Sequence, residues 1–106
     1  MSLMKWSESE KRIARQVFEA ALQRELAEVM AEFKQRASSA TEPGDMWSVE
    51  QFLKRARTNI DSKYDYRYSQ LLFVFGQLLG EGRISEDDLQ GLSEEKLDSI
   101  RRRASL

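Results

Sequence analysis

Trp47 has Glu50 and Gln51 three and four residues on, with Lys54 and Arg57 following at steps of three, so on a helix they crowd one side. An indole ringed by a carboxylate, an amide, an ammonium and a guanidinium is a set for recognition, because aromatic rings and arginines carry much of the binding energy at protein interfaces. Carboxylate or lysine chemistry remains formally open to these residues. The chain contains no histidine and no cysteine. Nucleophilic catalysis through Cys or a Ser–His pair is therefore excluded. So are disulfides and the zinc, haem and iron–sulfur sites built on those side chains. The glycines, at 44, 76, 80, 82 and 91, lack the spacing of a phosphate-binding loop. The residues point to a protein that is not an enzyme, takes no cofactor or metal, and works by touching another protein.

The element that must position Trp47 runs from Asp45 to Asp65. Val49, Phe52, Leu53, Ala56, Ile60 and Tyr64 repeat at helical spacing and form an apolar, core-facing stripe. At 100° per residue, Trp47 falls about 150° from the centre of that stripe. Fully burying such a ring is worth about 2–3 kcal/mol, so leaving it among charges needs a use. Two readings stand: an exposed binding anchor, or a ring packed in a seam between two copies. Arg57 is likewise a recognition arginine or half of a solvated ion pair with a neighbour such as Asp61. Phe73 is the second misplaced aromatic, about 170° from the face of Leu71, Phe75, Leu78 and Leu79. The pattern favours a second side of the core for it, with an exposed anchor as the alternative.

The first helix is expected from Ser7, where Ser7 and Glu10 fit a capping box, to about Ser38. Opposite charges four apart, Glu8–Arg12, Arg15–Glu19, Arg24–Glu28 and Glu32–Arg36, support it. At roughly 45–50 Å it outreaches a compact domain of this size, whose radius of gyration is about 13 Å. Its apolar stripe also changes side. Ile13, Val17 and Ala21 mark one face, and Leu22, Leu26, Val29, Met30 and Phe33 lie about 160° round. Such a helix calls for a second chain beside it, hence a two-fold homodimer. Ala37 to Asp45 is expected as loop, and the next helix to be capped by Asp45 or by a Ser48–Gln51 box. The stretch from Tyr64 to Leu79 is ambiguous, since its tyrosines alternate like a strand, but with no second strand to pair with it is expected to be helical. Gly80 and Gly82 end it. A short helix starts at Ser85, and a last one runs from Ser93 toward Arg103, its arginine run suiting a helix C-terminus. Glu86, Asp87 and Asp88 read as a solvated first turn.

The 106 residues and a net charge of −1 bound the rest. The length fits one domain, residues 1–106, and the charge argues against a nucleic-acid partner. No apolar run approaches the roughly 20 residues of a membrane span, and no signal-peptide pattern opens the chain. A second methionine, Met4, suggests that the chain proper starts there.

Specific strings then carry a resemblance: Trp6-Ser7 before an acidic cap, Gln23-Arg24-Glu25-Leu26, Trp47, Phe52-Leu53, Ile60-Asp61-x-Lys63-Tyr64-Asp65, Phe73-Val74-Phe75-x-Gln77-Leu78-Leu79 and Glu81-Gly82. Over nearly its full length the chain resembles the fluorescence recovery protein family of cyanobacteria. The resemblance implies an all-α homodimer with a long stalk of two helices (1–62) and a small C-terminal helical head (63–106). It implies a cytoplasmic regulator, peripheral to the thylakoid membrane, that binds the photoactivated orange carotenoid protein. That binding hastens the return from the red quenching form to the orange resting form and helps the carotenoid protein leave the phycobilisome. Family positions tied to activity match Trp47 and Arg57, and a head aromatic tied to binding matches Phe73. The chain departs from the family at Glu50 and Gln51, where histidine and aspartate are usual. Gln51 removes a charge able to pair with Arg57, and Glu50 lies one residue away to replace it. A divergent dimer of this scaffold serving an unrelated protein partner is the alternative.

Overall fold

The computed structural model describes residues 5–106. The start suggested at Met4 lies outside the described residues. Four helices account for most of the rest: α1 (Glu8–Ser39), α2 (Pro43–Lys63), α3 (Leu71–Gly80) and α4 (Glu94–Ala104), with a 3₁₀ turn at Asp87–Leu89. Among the described residues there is no strand, so the all-α expectation holds.

The chain divides into two compact units, residues 5–21 with Tyr64–Leu106, and Leu22–Lys63. The boundary inside α1 falls where its apolar stripe changes side, between Ala21 and Leu22. The first unit owns the core. Its buried apolar side chains are Trp6, Ala14, Val17, Phe18 and Ala21, then Leu71, Leu72, Val74, Phe75 and Leu78 of α3, with Ile84, Leu89, Leu92 and Ile100. α3 and α4 pack at close range: a Cβ on Gly76 would lie 2.5 Å from the Cβ of Arg103. α3 ends as expected, in a Schellman turn. Gly82, at φ +74°, donates to the Leu79 carbonyl at 3.0 Å, and Arg83 donates to Leu78 at 2.9 Å.

The start of α1 follows its sequence. The Glu10 N–H donates to Ser7 Oγ at 3.2 Å, and the Ser7 N–H donates to Glu10 Oε1 at 3.0 Å. Of the expected pairs, Arg15–Glu19 closes to 3.7 Å and Glu32–Arg36 to 2.7 Å, while Glu8 takes Lys11 at 3.5 Å in place of Arg12. The same reciprocal cap forms at Ser85 and Asp88, and Ser93 accepts the Lys96 N–H at 3.3 Å to start α4.

Two expectations need correction. Tyr64 to Gln70 is not helical; α2 stops at Lys63 and α3 starts at Leu71. The alternating tyrosines serve an extended segment laid on α1. Phe18 meets Tyr64 at 5.4 Å and Tyr66 at 4.8 Å, and Trp6 meets Tyr68 at 5.8 Å between ring centroids. Arg67 also grips Asp65 at 2.6 Å, a partner two residues away that a helix would turn aside. The loop expected over Ala37 to Asp45 shrinks to residues 40–42, because Pro43 opens α2, where a missing N–H costs nothing. Asp45 does cap α2, from inside it: Oδ2 accepts the N–H groups of Thr41 at 3.0 Å and Glu42 at 3.1 Å. Those donors hold its carboxyl below the ordinary value. The alternative box does not form, since Ser48 donates to the Gly44 carbonyl.

The second unit is a helical hairpin tied by charge. Lys63 Nζ donates to Glu25 Oε2 at 2.8 Å, both side chains being almost wholly buried. The Arg36 guanidinium lies 4.6 Å from the centre of the Phe52 ring. No apolar residue between Leu22 and Gln70 is fully buried. The α2 stripe expected to face a core is only half-covered at Val49, Phe52, Ala56 and Ile60, and Leu53 is exposed. One neighbouring helix cannot cover it.

Candidate functional site

α2 carries the first group. The Trp47 ring is 61% exposed, and Glu50, Gln51, Lys54 and Arg57 are exposed beside it along the same side of the helix. The geometry behind this is simple: α2 turns its apolar stripe toward α1, and residues about 150° away have nothing in the unit to lie on. Arg57 Nε stands 3.7 Å from Asp61 Oδ2, beyond hydrogen-bond range, and both side chains are largely solvated. Such a pair is worth under about 1 kcal/mol, so it leaves the guanidinium available.

Two apolar residues of α2 also stand uncovered, on the stripe side, about 100–120° round the helix from Trp47. Met46 is 55% exposed and Leu53 is 38% exposed. Leu53 belongs to the apolar stripe by spacing, and only its lack of cover reveals it. On the Trp47 side, an indole among Lys54, Arg57 and Glu50 makes a surface with an apolar anchor and a charged border. Interface cores and rims are built this way.

Phe73 belongs to the other unit and forms a site of its own. The sequence pattern favoured a core position; the ring is 58% exposed. Phe73, Gln77 and Gly80 form the bare side of α3, while Leu71, Leu72, Val74, Phe75, Gly76 and Leu78 are buried. Ten residues of α3 meet the core on one side and α4 on another, which leaves the third side open. Arg103 of α4 comes over the ring, its guanidinium carbon 5.3 Å from the centroid. Gly76, Gln77, Gly80, Glu81, Ala104 and Leu106 complete a cleft of about 380 Å³ there.

The buried charges of the first unit are structural. Glu10 accepts the Ser7 and Ser93 N–H groups and meets Lys96 Nζ at 3.2 Å, so one carboxylate ties the starts of α1 and α4. Burial pushes this carboxyl up, but the two N–H donors and the Lys96 ammonium outweigh it and hold it below its ordinary value. Sequence reading found Glu10 as a cap and missed its second helix, because Ser93 and Lys96 lie more than eighty residues away. Glu86, Asp87 and Asp88 divide their work as a first turn does. Asp88 caps Ser85, and Glu86 holds Arg101 at 2.8 Å. No group of His, Cys, Asp and Glu side chains among the described residues is placed to hold a metal ion.

The family model described as photoprotection regulator fluorescence recovery protein matches residues 6–104. A fluorescence recovery protein from Synechocystis sp. is 40% identical over 101 residues, covering 95% of this chain and 93% of that protein. Among solved structures, the Fremyella diplosiphon fluorescence recovery protein matches with a TM-score of 0.92 at 35% identity, over 96% of this chain and 100% of that one. The Synechocystis protein matches with the same TM-score at 39% identity and the same coverage.

Proposed function

The chain belongs to the fluorescence recovery protein family of photoprotection regulators, and from that premise we propose that it binds the photoactivated orange carotenoid protein and speeds its return from the red quenching form to the orange resting form. No covalent chemistry is required. A binding partner accelerates a conformational relaxation when it holds the transition region more tightly than the starting form. The observation that carries this reading is the pair of exposed aromatics, Trp47 at 61% and Phe73 at 58%, the second with Arg103 over its ring. Buried, they would be ordinary core residues; open to solvent, they are anchors for another protein.

The working form is a homodimer. Leu22–Lys63 contains no fully buried apolar side chain, and the stripes of α1 and α2 need a second copy to cover them. The Leu22–Lys63 unit supplies the seam and the α2 patch, and the unit holding α3 and α4 supplies Phe73. The protein acts in the cytoplasm at the thylakoid surface, and none of its described helices is long and apolar enough to cross a membrane.

A second reading is favoured by one departure: Glu50 and Gln51 stand where the family usually has histidine and aspartate. Under it the dimer persists and serves an unrelated protein. Size-exclusion chromatography with orange carotenoid protein separates the two readings. Co-migration with the photoconverted form supports the first; separate elution of dimer and carotenoid protein supports the second.

A further inference from the structure

The cleft beside Phe73 contains a cation with no anion. Among the described residues no carboxylate pairs with Arg103, whose guanidinium lies over the Phe73 ring. Of the other two arginines of the run, Arg101 holds Glu86 at 2.8 Å and Asp98 at 2.9 Å, and the exposed Arg102 does not line the cleft. The carboxylate on the rim of the cleft is also engaged: Glu81 takes Arg83 at 3.0 Å and Gln77 at 3.0 Å. A favourable position near the C-terminus of α4 explains a cation there, but all three arginines share that benefit, and Arg103 alone lies over an exposed ring.

The walls say what fits. Phe73 offers a ring face, and Gly76 and Gly80 let Arg103 and Ala104 of α4 lie close on α3 at the edge of the cleft. Space of about 380 Å³ admits a large apolar side chain. Arg103, at the mouth, presents a cation able to pair with a carboxylate. We propose that this cleft receives a segment of the partner in which an apolar side chain sits next to a carboxylate, and that Arg103 reads that carboxylate. The proposal rests on the function given above and adds to it the chemistry of the bound segment. Charge complementarity sets the choice of an acidic segment: a basic or neutral one would leave Arg103 half-desolvated without a counter-charge, which costs affinity.

The Cβ of Arg103 packs against α3 at Gly76, so truncation to alanine would confuse packing with charge. Arg103→Met keeps the stem and removes the cation, and Arg103→Lys keeps both. Affinity for photoconverted orange carotenoid protein is measured for the unsubstituted protein and both variants, at low and raised ionic strength, with circular dichroism to check folding. The expected result is a loss of about tenfold for Arg103→Met, a shallower salt dependence, and near-normal binding by Arg103→Lys. Unchanged binding by Arg103→Met overturns the proposal, and so do equal losses in the two variants, because charge would then play no part. An unsubstituted protein that does not bind at all overturns the function reading instead.

Discussion

Trp47 bears the most weight for its size. Its exposure in the single chain leaves little folding energy in the ring, since surface substitutions away from packed features shift stability by only about 0.5 kcal/mol. Trp47→Ala is therefore expected to leave the melting temperature and the dimer nearly unchanged while partner affinity falls by tenfold or more, an effect of about 1.4 kcal/mol or above. Dissociation of the dimer on this substitution would place the ring in the seam. Lys63 is the opposite kind of residue. Its ammonium and the Glu25 carboxylate are buried together at 2.8 Å. Lys63→Met removes one partner of a buried pair and is expected to destabilise the protein by about 3–5 kcal/mol; the double variant with Glu25→Leu recovers most of it. Urea unfolding of the three proteins checks both statements. The sequence placed Trp47 and Arg57 correctly because helical angle alone decides which side of α2 they take. It gave no sign of the Glu25–Lys63 pair, since two long charged side chains on separate helices look like any other surface residues until the helices are folded together.

At the scale of elements, what could be read was what is local. The caps at Ser7, Ser85 and Ser93 depend on residues three apart, and all three formed. The extended stretch from Tyr64 was missed because its reason is tertiary: the rings of Tyr64, Tyr66 and Tyr68 settle on Phe18 and Trp6, and no neighbour in sequence reports this. Phe73 was misjudged for a related cause, as an apolar helix does not announce which of its sides lacks a neighbour. The caps also give a pH dependence. Glu10 and Asp45 titrate below their ordinary values when folded. A depressed carboxyl contributes stability above its unfolded pKa and loses it as pH falls through the folded value. The melting temperature is thus expected to hold at neutral pH and to fall as the pH drops below about 4.5. Glu10→Gln should lower it at neutral pH and flatten the acid limb. A parallel acid limb in the variant would remove Glu10 from the account.

For the whole molecule, the uneven distribution of core matters most. The unit holding α3 and α4 buries its own apolar side chains, and the Leu22–Lys63 hairpin buries none fully. Sedimentation equilibrium at micromolar protein is expected to give twice the chain mass, and Leu26→Glu together with Met30→Glu to give the single chain. A change in the apolar stripe of α1 already marked this need in the sequence, though not the boundary between units that coincides with it. The proposed partner is a photoprotein whose dark relaxation can be followed, which gives the central proposal a direct readout. Orange carotenoid protein is converted to its red form by strong light, the light is removed, and red absorbance is followed with and without a stoichiometric amount of this protein. The account predicts a decay several-fold faster with the protein present. An unchanged decay, with the dimer intact, would contradict it.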